Sequence, residues 1–277
     1  MLSMWKLLTT TLLVSSALYA GTNEKVEEFL EESFSSNPNI TKLSVKVIDS
    51  VKLKELKGWS GLIVDVDATV KAQPKNRQIN QKMVWFTNGS VISKDLIDLE
   101  TGLSLRDSVI PKFKDSYYKK ENLLYGNVDA KHKVAIFSDP LCPFCKKFVP
   151  EAIKYMKKYP NKFAIYYYHF PLESIHPAAV ALTKAAAMAE SLGKKDVVLK
   201  LYDVEVNARE KDVKKILAKF NDVFLTNIKP SDLDTKDVKE HLKSDIDIAN
   251  SVMVQGTPTM FFDGMIDKTK RKYKEAR

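Results

Sequence analysis

Cysteine is nearly missing from this chain of 277 residues: there are two, standing together as Cys142-Pro143-Phe144-Cys145. Without a second pair, no disulfide can staple distant parts of the fold, and the small loop these two would close restrains nothing. A structural zinc site normally takes four protein ligands. The four histidines, His132, His169, His176 and His241, are scattered without ligand-like spacing, so neither a metal nor any other cofactor is expected. A lone C-x-x-C pair is either a redox centre or half a metal site, and this poverty of partners favours the redox centre. Long apolar runs are missing too. Past residue 20 nothing approaches the roughly 20 apolar residues that span a bilayer, and there is no internal repeat or low-complexity segment.

The first 20 residues read as a signal peptide. Lys6 supplies the positive start, Leu7 to Leu18 is apolar or small without charge, and Ala20, or Ala17 with Ser15 before it, suits cleavage. The other reading of the same run is an uncleaved anchor. Export combined with a C-x-x-C implies a compartment where disulfides are made and repaired, which in a bacterium is the periplasm. The net charge is +9, but the lysines alternate with acids along expected helices, and only Lys268 to Arg277 is concentrated. That is a solvated basic surface, and no nucleic-acid partner is expected.

The rest is comfortable for two domains. Residues 24–35 predict an amphipathic helix with Val26, Phe29, Leu30 and Phe34 on one face. Val45, Val47, Val51 and Leu53 recur at even spacing, and Leu62, Val64, Val66, Ala68 and Val70 alternate strictly, which predicts half-buried strands. Met83 to Thr87 leads into Asn88-Gly89, a tight hairpin signal, and Val91-Ile92 begins the return. Residues 21–110 therefore read as a helix and an antiparallel sheet, without a catalytic constellation. The Lys- and Tyr-rich residues 111–126, between Pro111 and Gly126, predict a linker helix.

The second domain is expected over 127–277. Lys133 to Ser138 reads as a buried strand, Cys142 opens a helix that runs on to Lys158, and Phe163 to His169 reads as a strand buried on both faces. Helical patterns then fill about 171–252, with segments at 195–206, 210–220 and 235–252, before Thr257-Pro258 introduces a last strand. Pro143 favours a helix start, which puts Cys142 at the positive end of the helix dipole, where a thiolate is stabilised. His169 and His176 either add positive charge beside Cys142 or sit in solvent at a strand end and a helix start.

Phe137-Ser-Asp-Pro-Leu-Cys-Pro-Phe-Cys-Lys146, the helical insertion, and Val254-Gln-Gly-Thr-Pro-Thr-Met-Phe261 together resemble the periplasmic Dsb thiol–disulfide oxidoreductases. The first domain, around Trp85-Phe-Thr-Asn-Gly-Ser-Val-Ile92, resembles the DsbC/DsbG branch. Phe170-Pro-Leu-Glu-Ser-Ile-His-Pro-Ala-Ala179 is closer to the DsbA side. The resemblance implies an α/β thioredoxin fold with a helical insertion, preceded by an α+β, cystatin-like dimerisation domain, in a V-shaped homodimer. It implies Cys142 as nucleophile and Cys145 as resolving thiol. Pro143 and Phe144 between them, and Thr257, would tune redox poise, and Pro258 would be a cis-proline that presents Thr257 to a substrate strand. The implied partners are unfolded or misoxidised exported proteins and a membrane redox partner, either a DsbD-like reductant or a DsbB-like oxidant. Isomerase and oxidase roles both fit. A periplasmic chaperone whose thiols are secondary is the alternative from another class.

Overall fold

The computed structural model describes residues 8–72 and 76–276, with the backbone alone over 8–20. The start of the expected signal peptide, residues 1–7, lies outside the described residues, and 8–20 form the first part of helix α1 (Leu8–Ser35). Among the described residues no helix is long and apolar enough to cross a membrane. The chain divides into two compact units, Met1–Ile110 and Pro111–Arg277.

In the first unit an antiparallel sheet runs in the order β1 (Ile40–Lys52), β2 (Ser60–Val70), β3 (Arg77–Thr87), β4 (Ile92–Ser93). Helix α1 lays Val26 and Leu30, with Phe34 partly covered, on Leu62, Val64, Val66 and Trp85. These three helix residues are spaced by four and trace one line. Phe29 was expected on the same face, but it lies 51% exposed, because the position before Leu30 is turned about 100° around the axis. Two acids tie the helix to the edge strand: Glu27 Oε1 accepts from the Val47 amide at 2.7 Å, and Glu31 Oε1 from the Val45 amide at 3.1 Å. On β2 Leu62, Val64, Val66 and Ala68 of the alternating set are buried as expected and Val70 is half-buried, yet Ile63 between them is buried too. The strand is central, and Val109 packs so closely on its other face that a Cβ added at Gly61 would meet it at 2.2 Å. The hairpin is looser than the Asn-Gly signal predicts. Residues 88–91 separate the strands, only Gly89 of the pair takes positive φ (90°), and Asn88 Oδ1 instead accepts from the Ser90 and Val91 amides at 3.0 Å each.

The second unit is a five-stranded sheet in the order β5 (Leu123–Tyr125), β7 (Phe163–His169), β6 (His132–Ser138), β8 (Thr259–Phe262), β9 (Met265–Ile266). β6 and β7 are parallel and joined by α2 (Pro143–Lys157), while β8 is antiparallel to β6. Between β7 and β8 come α3 (Pro177–Ser191), α4 (Val197–Leu201), α5 (Val213–Phe224) and α6 (Lys236–Ser251), and α7 (Lys272–Glu275) ends the unit. The helix expected over 195–206 is only the five residues of α4, because Val204 turns back into the helical core. The one expected at 210–220 starts later, where Asp212 caps it by accepting from the Lys214 amide.

The linker helix expected over 111–126 is replaced by two short 3-10 turns, Asp115–Tyr117 and Lys120–Asn122, and by the edge strand β5. Its aromatic residues explain the difference. Phe113 is buried with its ring 4.7–6.0 Å from those of Tyr117, Tyr118, Phe137, Tyr168 and Phe261. An amphipathic helix presents one stripe, whereas here the chain wraps around Phe113 and then pairs with β7. Gly126 makes that pairing possible: at φ 88° a Cβ would lie 1.9 Å from the Phe163 carbonyl oxygen.

Candidate active site

β6 is apolar to its end because both faces of the sheet are covered. It stops at Ser138, and Asp139-Pro140 turns the chain into α2. Cys142 is the N-cap residue (φ −69°, ψ 121°) with Pro143 following in the first turn, and its carbonyl accepts from the Lys146 amide at 3.0 Å. The first amides of a helix have no partner within it, so Cys142 stands where a developing negative charge finds donors and the dipole's positive end. Its Sγ lies 3.5 Å from the Thr257 carbonyl oxygen, which brings the two distant motifs together. The Thr257–Pro258 bond is cis.

The two sulfurs differ in surroundings. Both are free thiols, Cys142 4% exposed and Cys145 fully enclosed. Burial pushes the Cys145 thiol up to about 12, with the Ser138 and Thr257 hydroxyls and the Asp139 backbone pulling it down less strongly. The Thr257 hydroxyl is itself buried and completes no well-formed hydrogen bond among the described residues. Ser138 Oγ meets Tyr202 Oη at 2.7 Å and Tyr202 meets Tyr167 at 3.1 Å. Burial raises both phenols, so the layer beneath the thiols is uncharged hydroxyl. Above them, Phe144 is 74% exposed and borders a cavity of about 530 Å³ shared with Phe148, Thr257, Pro258 and Tyr273. Lys147, Lys270, Arg271 and Lys274 surround it.

The histidines behave differently from expectation. His169 is buried, and desolvation pushes it down to about 3, so it is neutral and lends no positive charge to Cys142. His176 is not in solvent: its Nδ1 lies 3.1 Å from Asp139 Oδ2. Asp139 is the residue that motif reasoning missed. Fully buried, it accepts from the Leu141 amide (2.7 Å) and the Cys142 amide (3.1 Å) with Oδ1, and from the Leu172 amide (2.7 Å) with Oδ2. It thus fixes the loop that carries Cys142 to the loop after β7. The sequence signal was an Asp-Pro one residue ahead of the C-x-x-C. His169 and His241, far apart in sequence, are brought together with Glu190.

Residues 119–277 match the family model described as Thioredoxin. A 97-residue stretch is 28% identical to the thiol:disulfide interchange protein DsbG of Escherichia coli K12, covering 35% of this chain and 38% of that protein. The chain thus spans well under half of that relative. A 155-residue stretch is 27% identical to a probable disulfide bond formation protein D of Bacillus cereus, covering 50% of this chain and 68% of the relative. Among solved structures, Proteus mirabilis ScsC in a compact conformation aligns with a TM-score of 0.44 at 22% identity, over 55% of this chain and 74% of that one. Oxidised BdbD of Bacillus subtilis aligns at 0.43 and 22%, over 56% and 89%.

Proposed function

The chain belongs to the thioredoxin family, and on that premise we propose that it is a periplasmic thiol:disulfide oxidoreductase acting on exported proteins. The observation that carries this reading is the asymmetric thiol pair. Cys142 caps a helix with its sulfur beside the Thr257 carbonyl, while Cys145 is enclosed and pushed up to about 12. The names of the DsbG and disulfide bond formation relatives support the same reaction class.

In the reductive direction the Cys142 thiolate attacks one sulfur of a substrate disulfide. A mixed disulfide forms and the other substrate sulfur leaves as a thiolate. Cys145 then gives up its proton and attacks Cys142 Sγ. That bond closes the Cys142–Cys145 disulfide, frees the second substrate thiol, and moves two electrons to the substrate. Run backwards, the same steps oxidise a dithiol. If a substrate thiolate resolves the mixed disulfide instead, the disulfide is reshuffled without net redox change. Thr257 and Pro258 bind the substrate backbone next to the sulfur, Phe144 and the cavity beside it receive apolar side chains, and Pro143, Phe144 and Thr257 set redox poise. Thr257→Val is expected to change the equilibrium constant with glutathione while leaving the unfolding midpoint in place.

The first unit is read as a dimerisation domain, because it is a well-packed helix and sheet apart from the thiols. The partner that restores the thiols is a membrane reductant if the protein is an isomerase, and a membrane oxidant if it makes disulfides. The deciding experiment has two parts. Purified protein is assayed for reactivation of a scrambled-disulfide protein and for oxidation of a reduced one, beside Cys142→Ala. Thiols trapped by alkylation in freshly quenched cells then report the resting state. Loss of both activities in Cys142→Ala is expected; retention of either would favour a chaperone reading and overturn this one. A sedimentation experiment on the full chain checks the dimer, and a monomer would reject it.

A further inference from the structure

A second group of chemically capable residues lies in the same unit and takes no part in the thiol chemistry. His169 ends β7, Glu190 stands near the end of α3, and His241 lies on α6. One ring nitrogen of each histidine and one oxygen of Glu190 lie within 4.8 Å of one another. The two imidazole rings are 6.0 Å apart between centroids. All three residues line a cavity of about 530 Å³ to which neither cysteine, Asp139 nor Thr257 contributes.

We infer that His169, Glu190 and His241 form a binding site for a first-row divalent transition metal, with zinc as the ion to test. The donor set decides the class. Two imidazoles and one carboxylate suit zinc and its neighbours, whereas calcium and magnesium prefer all-oxygen shells. Three protein ligands facing a cavity leave a fourth position for water or another small donor, the arrangement of an open zinc site.

An independent observation points the same way. His169 is 2% exposed, and its Nδ1 has no hydrogen-bond partner among the described residues. A buried polar atom left without a partner costs about 1–3 kcal/mol, and such atoms call for an explanation. A metal ion on the cavity side supplies one. An imidazole nitrogen that carries no proton offers a lone pair to such an ion. Of the lysines that line the cavity, Lys194 donates to the Leu225 carbonyl at 3.2 Å and Lys157 to Asp196 Oδ1 at 3.3 Å.

The surroundings are also those of a held ligand set. Asp245 Oδ2 lies 3.6 Å from His241 Nε2 and accepts from the His169 backbone amide at 2.8 Å, while Asn122 Nδ2 holds Oδ1 at 2.8 Å. At 3.6 Å the approach to His241 is close without being a hydrogen bond; what Asp245 holds is the backbone at His169. Zinc bonds of about 2.0–2.2 Å bring donors to about 3.5 Å from one another, so a small rotation of the Glu190 and His241 side chains closes the set.

The test uses the full chain carrying Cys142→Ser and Cys145→Ser, because the thiols would bind zinc themselves. Zinc titrated against a chromophoric chelator should show one equivalent bound. Cobalt should give the visible bands of a four- or five-coordinate nitrogen–oxygen site, and zinc should raise the thermal midpoint. Glu190→Gln and His241→Gln, each checked for fold by circular dichroism, should each weaken zinc by at least about tenfold. If the cysteine-free parent binds no stoichiometric zinc, or both variants bind as it does, the site does not exist. If one variant fails to fold, the other and the parent's cobalt spectrum decide. The outcome does not bear on the thiol activity, which is measured without these residues being altered.

Discussion

Asp139 exchanges no electrons, yet three amides and a histidine converge on its carboxylate. Asp139→Asn keeps the shape but sets an NH₂ group against an N–H donor and gives up the charge that strengthens these bonds. It is expected to cost about 1.5–3 kcal/mol in urea unfolding and to slow thiol exchange by loosening the loop under Cys142. The thiols themselves separate cleanly by reactivity. At pH 7 Cys145→Ser, which leaves Cys142, should react with iodoacetamide about tenfold or more faster than Cys142→Ser, whose remaining thiol is enclosed and pushed up to about 12. Equal rates would reject the assignment of the nucleophile. Cys142, Pro143 and Cys145 were legible from sequence because a helix start and a one-turn spacing are local properties. Asp139 was not, since two of its partners, Leu172 and His176, come 33 and 37 residues later. The buried state of His169 was hidden for the same reason: its surroundings are built by α6 and by Asn122.

Strands and helices with one clear period, or with one unbroken apolar run, were read close to where they stand, as β2 and α6 show for the first and β7 for the second. The segment before β6 was not, because its tyrosines and phenylalanine satisfy neither a two-residue nor a 3.6-residue period and pack around a single ring. Its dependence on Gly126 makes a sharp expectation. Gly126→Ala must either hold a side chain at φ 88° or move β5 off the Phe163 carbonyl. A left-handed alanine alone costs about 1–2 kcal/mol, and the clash adds to it, so the loss in denaturant unfolding should exceed about 2 kcal/mol. A loss near zero would mean that β5 is not held against β7. The metal ligands belong to this scale as well: they lie on one strand and two helices, and only the packing of those elements reveals them.

For the second unit as a whole, buried acids set how stability responds to pH. Burial lifts Asp245 to about 8 from 3.8 and Glu190 to about 7 from 4.5. Between the unfolded and folded values the native state holds protons that the unfolded chain releases, so stability falls as pH rises through that window. His169, pushed down to about 3 from 6.5, acts the other way, because there the unfolded chain takes up the proton. The opposing effects overlap below about pH 6.5, and above it only the fall remains. With chelator present, the unfolding free energy in urea is expected to drop between pH 6.5 and 8, and Asp245→Asn should flatten that drop by up to about 1.4 kcal/mol per pH unit. A free energy that rises over the interval would show that Asp245 is ionised in the native state. The first unit raises a different matter, that of avoiding open-ended strand addition at its sheet edge. β1 is thirteen residues long and lies at the sheet's edge, and such an edge is a template on which a stray strand can add and seed a fibre. Glu27 and Glu31 already occupy the outward amides at its middle, so an invading chain must first strip two charge-assisted hydrogen bonds and lift the helix that bears them. The two acids therefore act as a guard against cross-β growth, and a Glu27→Ala, Glu31→Ala protein should form thioflavin-binding aggregates on warming where the parent stays clear.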